Sequence, residues 1–262
     1  YLCDLIRKLS MVYFSEVLGF CIMGNHFHLV VRMHPGVEYD AEDIRKRFAK
    51  YYGEDKDNDL TDEQIAAFRD KWESVSEYLK EIKQGFSRFY NKLHDRKGTF
   101  WSERFKSVLV ENGETLVNCL AYVDLNAVRA GICEKPEGYR WCSLAYHIQR
   151  NNEGRFLSLD FGLREFGLKG SRERLAHYRR FVYEKGGLLP EAENRMEGLA
   201  VGALERFRYR TRYFADSAII GTKTFVVKYY QQFKRNFFSK KDKQPIAIPG
   251  LPDVFSLKRL SE

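Results

Sequence analysis

Apolar positions recur along this chain with two different periods. Leu2, Leu5, Ile6 and Leu9 stand three and four apart, which predicts a helix over residues 1–13. Two apolar runs follow, Val17 to Met23 and Phe27 to Met33, separated by Gly24-Asn25. Runs of strand length around a dipeptide that tolerates left-handed conformations predict a β-hairpin. Leu79, Ile82, Phe86, Phe89 and Leu93 return to helical spacing and predict an amphipathic helix over 74–94. Lys106–Val110 reads as another strand. In the next helix Leu116, Cys119, Leu120 and Val123 form the buried stripe, with Asn112 as its cap and Gly131 as its stop.

Between these elements the pattern turns polar. Residues 34–72 are acidic and read as a mobile insertion with short helices over Asp43–Tyr52 and Asp62–Trp72 and a turn around Asp55–Asp59. Asn151-Asn152-Glu153-Gly154 marks a boundary, so the chain divides into a domain over 1–150 and an extension over 155–262. That extension reads as mainly helical, with an extended or disordered tail from Gln244.

Composition narrows the class. The chain has 262 residues, 44% of them hydrophobic and 15% aromatic, enough for a packed core. A net charge of +8 favours an anionic partner, nucleic acid first. Five cysteines without a C-x-x-C pair suit free thiols, and cytoplasmic residence is expected. No run of about eighteen apolar residues predicts a membrane span, and no leader precedes a cleavage site.

The candidate chemistry begins at the hairpin. On a strand His26 and His28 share a face, about 7 Å apart at roughly 3.3 Å of rise per residue, so both imidazoles can turn toward one ion. Two hydrogen-bonded core histidines would give the same pattern. On the later helix Asn118, Tyr122, Asn126 and Arg129 stand on one polar stripe. Lys83, Arg88, Lys97 and Arg104, interleaved with Phe100, Trp101 and Phe105, suit single-stranded nucleic acid, as do Arg206, Arg208 and Arg210 in the extension.

Four ordered stretches carry a resemblance. They are Met23-Gly-Asn-His-Phe-His-Leu29, Gly98-Thr-Phe-Trp-Ser-Glu-Arg-Phe105, Tyr122-Val-Asp-Leu-Asn-Ala-Val-Arg-Ala-Gly131 and Tyr139-Arg-Trp-Cys-Ser-Leu-Ala-Tyr146. Together they resemble the single-tyrosine HUH transposases, in particular the REP-associated tyrosine transposases and their insertion-sequence relatives, over roughly residues 1–150. The family often has Pro where Gly24 and Ala127 stand. Its palm begins with a strand before the first helix, and this chain starts at that helix, so that strand is expected to be absent here or replaced.

The resemblance implies an α+β fold, a ferredoxin- or RRM-like antiparallel sheet with helices on one face. It implies Tyr122 as the nucleophile toward single-stranded or hairpin DNA, forming a 5′-phosphotyrosine and releasing a 3′ hydroxyl. His26, His28 and Asn126 would hold a divalent metal, Mg²⁺ or Mn²⁺ by the family's habit. The active site is built in one chain or shared between two in a homodimer. The rival reading is a non-catalytic RRM-like domain that holds hairpin DNA or RNA without cutting it.

Overall fold

The first helix, α1 (Leu2–Ser10), buries Leu2, Ile6 and Leu9 along one face, as their spacing requires. The chain then enters β1 (Ser15–Ile22) and returns as β2 (Phe27–Met33), and the two pair into a two-stranded sheet. The turn closes with the Met23 amide donating to the His26 carbonyl at 2.8 Å. Neither Gly24 nor Asn25 adopts a positive φ, so this turn does not use the left-handed freedom that makes the dipeptide a hairpin signal.

The polar segment carries α2 (Ala41–Tyr52) and α3 (Asp62–Glu73), each opened by a reciprocal capping box, Asp40 with Asp43 and Thr61 with Gln64. Both helices fall where the sequence puts them. Next come α4 (Val75–Leu93), capped by Ser74, a short β3 (Leu109–Val110), α5 (Glu114–Asp124), α6 (Asn126–Arg129) and α7 (Ser143–Gln149). The last described elements are α8 (Ser171–Gly186), β4 (Ser217–Gly221), α9 (Lys223–Phe233), β5 (Ile246–Ala247) and β6 (Phe255–Lys258). This computed structural model describes residues 1–53, 60–160, 162–163, 167–188, 214, 217–237, 242–248 and 251–258. The turn around Asp55–Asp59 and Arg206, Arg208 and Arg210 lie outside the described residues.

The chain is α+β. The sequence pattern points to one antiparallel sheet and a mainly helical extension, and the described strands depart from both. Besides the β1–β2 pair, they form a four-stranded sheet in the order β3-β4-β6-β5, parallel between β3 and β4 and antiparallel elsewhere. Three of its strands come from the extension, and β5 and β6 fall in the stretch expected to be an extended tail. The Ser-Ala-Ile-Ile-Gly run of β4 is too short for its periodicity to separate strand from helix.

Contacts divide the chain into two compact units. The first comprises Tyr1–Leu18, Leu29–Phe105 and Asn152–Ser158. In its core α1 lies on α4, where Gly85 leaves room for Leu5; a Cβ there would meet Leu5 Cδ2 at 2.8 Å. Trp72, Tyr13, Tyr78, Phe14, Ile44 and Ile82 fill the interior.

The second unit comprises Gly19–His28, Lys106–Asn151 and Leu159–Glu262. Within it α9 covers the four-stranded sheet through Ile219, Val226, Tyr230 and Leu257. All five cysteines are free, four of them buried. Among the described residues no helix is long and apolar enough to cross a membrane.

Candidate functional site

Two segments of the second unit build the site, and Gly19 lets them approach. A Cβ on Gly19 would meet Leu120 Cδ2 at 2.7 Å and Ser143 Oγ at 3.1 Å, so only glycine allows β1 to lie this close to α5. The Phe20 amide donates to Ser143 Oγ at 3.1 Å, and the Tyr139 hydroxyl donates to the Ile22 carbonyl at 2.7 Å. The hairpin end that carries the histidines is thus tied to the segments that follow α5.

His26 stands just before β2 and His28 within it, with ring centroids 5.1 Å apart and planes at 87°. They share one side of the hairpin, as strand alternation requires. Burial pushes the His28 imidazole down to about 4, helped by the neighbouring His26 and Arg129. His26 is lowered by burial and by Arg129. At neutral pH both rings are neutral and each keeps a lone pair. The His26 Nδ1 lies 2.7 Å from Asn25 Oδ1, to which it donates, leaving Nε2 as the free lone pair.

Tyr122 reaches the same place from α5. Its ring is 5.7 Å from that of His28, at 79°, and 5.4 Å from Phe214, a neighbour that sequence spacing does not supply. The Arg129 guanidinium sits over the Tyr122 ring, with Cζ 4.0 Å from the centroid. The helix expected from Asn112 to Gly131 is broken in two. Gly113, at φ 80°, stands at its start in place of an Asn112 cap, and Leu125, at ψ 0°, separates α5 from α6. Gly131 ends α6 with a positive φ of 69°, as expected.

Asn126 is the one expected ligand whose setting differs. Its Nδ2 donates to the carbonyls of Tyr122 and Val123, both at 3.2 Å, and its Oδ1 accepts from the Arg129 guanidinium. Two neutral imidazoles suit a divalent ion of borderline character. The amide oxygen that would be the third ligand is already engaged by a cation, so Asn126 as placed does not fit that role. Among the described residues no group of three His, Cys, Asp or Glu side chains stands ready to hold a metal.

Sequence reasoning left Asp124 out of the site, and it proves to be the buried anchor beneath Tyr122. Asp124 Oδ1 accepts from Ser143 Oγ at 2.6 Å and the Leu144 amide at 2.9 Å, and Oδ2 accepts from the Tyr178 hydroxyl at 2.6 Å. These bonds fasten α5 to the start of α7 and to α8. Burial raises the carboxyl to about 6 against the pull of its three donors. The available signal was an acid one position off the polar stripe, facing Leu120 and Val123 rather than water.

The remaining expected nucleic-acid contacts, Lys83, Arg88, Lys97, Trp101 and Arg104, all lie in the first unit. Lys97 and Arg104 are exposed. Lys83 Nζ donates to the Glu103 carbonyl at 2.6 Å, and Trp101 Nε1 donates back to the Lys83 carbonyl at 2.9 Å. The Trp101 ring is half-buried against Phe86 and Phe100, so it is not a free platform for a base. Arg88 borders a groove of about 640 Å³ with Tyr1, Lys8, Tyr51, Phe89 and Lys92.

Within one unit the structure therefore gathers two neutral imidazoles, a phenol and a guanidinium. That set can bind a phosphate oxygen, orient a phenol toward phosphorus and offer lone pairs to a cation. No protein-family profile, curated protein or solved structure matches this chain.

Proposed function

We propose that this chain is a metal-dependent, transposase-like DNA endonuclease and strand transferase acting on single-stranded or hairpin DNA. In this reading β1 and β2 are the histidine-bearing strands of a ferredoxin- or RRM-like palm, and α5 is the tyrosine helix. The observation that carries it is the meeting of His26 and His28 with Tyr122, from stretches about a hundred residues apart. Nothing in core packing alone asks for two imidazoles, a phenol and a guanidinium together.

Tyr122 supplies the nucleophile. Its phenolic oxygen attacks phosphorus, the bond to the 3′ oxygen breaks, the phenolic proton is lost and the departing oxygen gains one. The product is a 5′-phosphotyrosine that keeps the energy of the broken bond, so rejoining needs no nucleotide cofactor. A divalent ion, Mg²⁺ or Mn²⁺, would polarise the phosphate and ease departure of the oxygen when held by His26 and His28. Arg129 orients the phenol through its ring face and offers a planar fork to phosphate oxygens. Gly19 and the Asp124 anchor hold the two segments in register.

The test is a labelled single-stranded hairpin incubated with the protein and Mn²⁺ and run on a denaturing gel. The wild-type chain is expected to give a covalent adduct, and Tyr122→Phe is expected to bind the DNA and give none. An adduct that persists in Tyr122→Phe would assign the nucleophile elsewhere. The rival reading, a non-catalytic RRM-like binder of hairpin DNA or RNA, draws on the Asn126 oxygen's engagement with Arg129. Binding without adduct in the wild type would favour it.

A further inference from the structure

We propose that Arg129 is a phosphate-released latch on Asn126, so that the imidazole site gains its third ligand only when a DNA phosphate draws the guanidinium away. This rests on the metal-dependent reading above and adds a linkage between DNA and ion.

Arg129 is the last residue of α6, one turn beyond Asn126. On its own side of the site the guanidinium meets the Asn126 Oδ1, the Tyr122 carbonyl at 3.5 Å and the face of the Tyr122 ring. These are neutral acceptors. A phosphodiester offers charged oxygens in a geometry the planar fork matches twice over, and such bonds are roughly twice as strong as those to neutral groups. Phosphate therefore competes well for this side chain. Moving it frees the one oxygen the metal site lacks.

The same side chain opposes an ion while it stays. Its charge reaches His26 and His28, so a divalent cation between the imidazoles would sit beside a fixed positive charge. A bound phosphate cancels that charge and releases Asn126 together. Linkage then works in both directions, DNA tightening metal binding and metal tightening DNA binding by one factor.

The experiment measures Mn²⁺ affinity by calorimetry on the full chain in the Tyr122→Phe background, where no strand is cut. It is run with and without a short single-stranded oligonucleotide. The oligonucleotide is expected to tighten Mn²⁺ binding by roughly 5- to 150-fold, the span of ordinary coupling between sites. Adding Arg129→Met is expected to tighten Mn²⁺ binding without DNA by a similar factor and to abolish most of the oligonucleotide's effect. Adding Asn126→Ala instead is expected to remove the oligonucleotide's effect while leaving weak binding.

Equal Mn²⁺ affinity with and without oligonucleotide would overturn the latch while leaving the metal-dependent reading intact. If Arg129→Met fails to fold by circular dichroism, the comparison with and without oligonucleotide, and its loss in Asn126→Ala, still decides. Absence of Mn²⁺ binding under every condition, unchanged by His26→Ala, would remove the metal reading and the latch together.

Discussion

Replacing Asp124 by Asn isolates the cost of a buried charge beneath the tyrosine helix. Burial raises this carboxyl from 3.8 to about 6 in the folded chain, even though Ser143, Leu144 and Tyr178 all donate to it. At about 1.36 kcal/mol per unit, ionisation in place is disfavoured by about 3 kcal/mol relative to the unfolded chain. The folded state binds this proton more tightly, so the stability Asp124 contributes is full below about pH 4. It is lost as pH rises through about 6. Asparagine cannot ionise, still accepts from Ser143 and Leu144, and can donate to the Tyr178 oxygen. Urea unfolding of both proteins at pH 4, 5, 6 and 7 gives the difference in stability, in which other titrating groups cancel. That difference is expected to move against the wild type by about 3 kcal/mol between pH 4 and 7. A flat difference, or one that moves in favour of the wild type, would refute the reasoning. Either result would mean that three hydrogen bonds outweigh desolvation at this site.

Gly19→Ala is expected to cost about 1–3 kcal/mol in urea unfolding, because its methyl group falls 2.7 Å from Leu120 Cδ2. Trimming Leu120 to Ala in the same chain is expected to recover part of that loss, and no recovery would place the strain elsewhere. Neutralising Arg88, Lys97 and Arg104 is expected to flatten the salt dependence of single-strand binding by roughly 0.7 in slope for each phosphate left without its cation. An unchanged slope would remove these side chains from the DNA path. The same measurement on Arg206, Arg208 and Arg210 assesses the extension independently.

The hairpin, α1, α2, α3 and α4 were legible because each encodes its period, caps or turn locally. The meeting of His26, His28 and Tyr122 was legible too, through residue types at ordered spacings rather than any pairing signal. Asn126 shows where that reasoning stops. The i, i+3 spacing that puts it on a stripe with Arg129 also lets the two side chains satisfy each other, and sequence does not say which contact wins. Asp124 was passed over because a carboxylate on a buried face declares itself only when its donors are known, and Tyr178 lies far along the chain. The β3–β4 pair left no local trace. A two-residue strand has no periodicity, and its partner is an isoleucine run in a segment that reads as helical.

That pairing bears on the order in which the protein can be assembled. Leu109 and Val110 are matched to Ile219 and Ile220, about 110 residues later, and Glu111 is bonded to the Thr222 amide and hydroxyl. At ~5–20 residues per second of synthesis, roughly 6–20 s pass between emergence of the two partners. Closing a loop of that length costs about 5 kcal/mol in chain entropy before any contact repays it. The lead-in to the tyrosine helix thus waits, with one strand edge bare, for a segment made near the end of translation. A nascent chain stalled near residue 200 would carry both histidines and the tyrosine and still lack the strand that pairs just ahead of α5. Ribosome release and completion of the site are therefore closely timed, which guards against a DNA-reactive tyrosine being finished on a half-made chain.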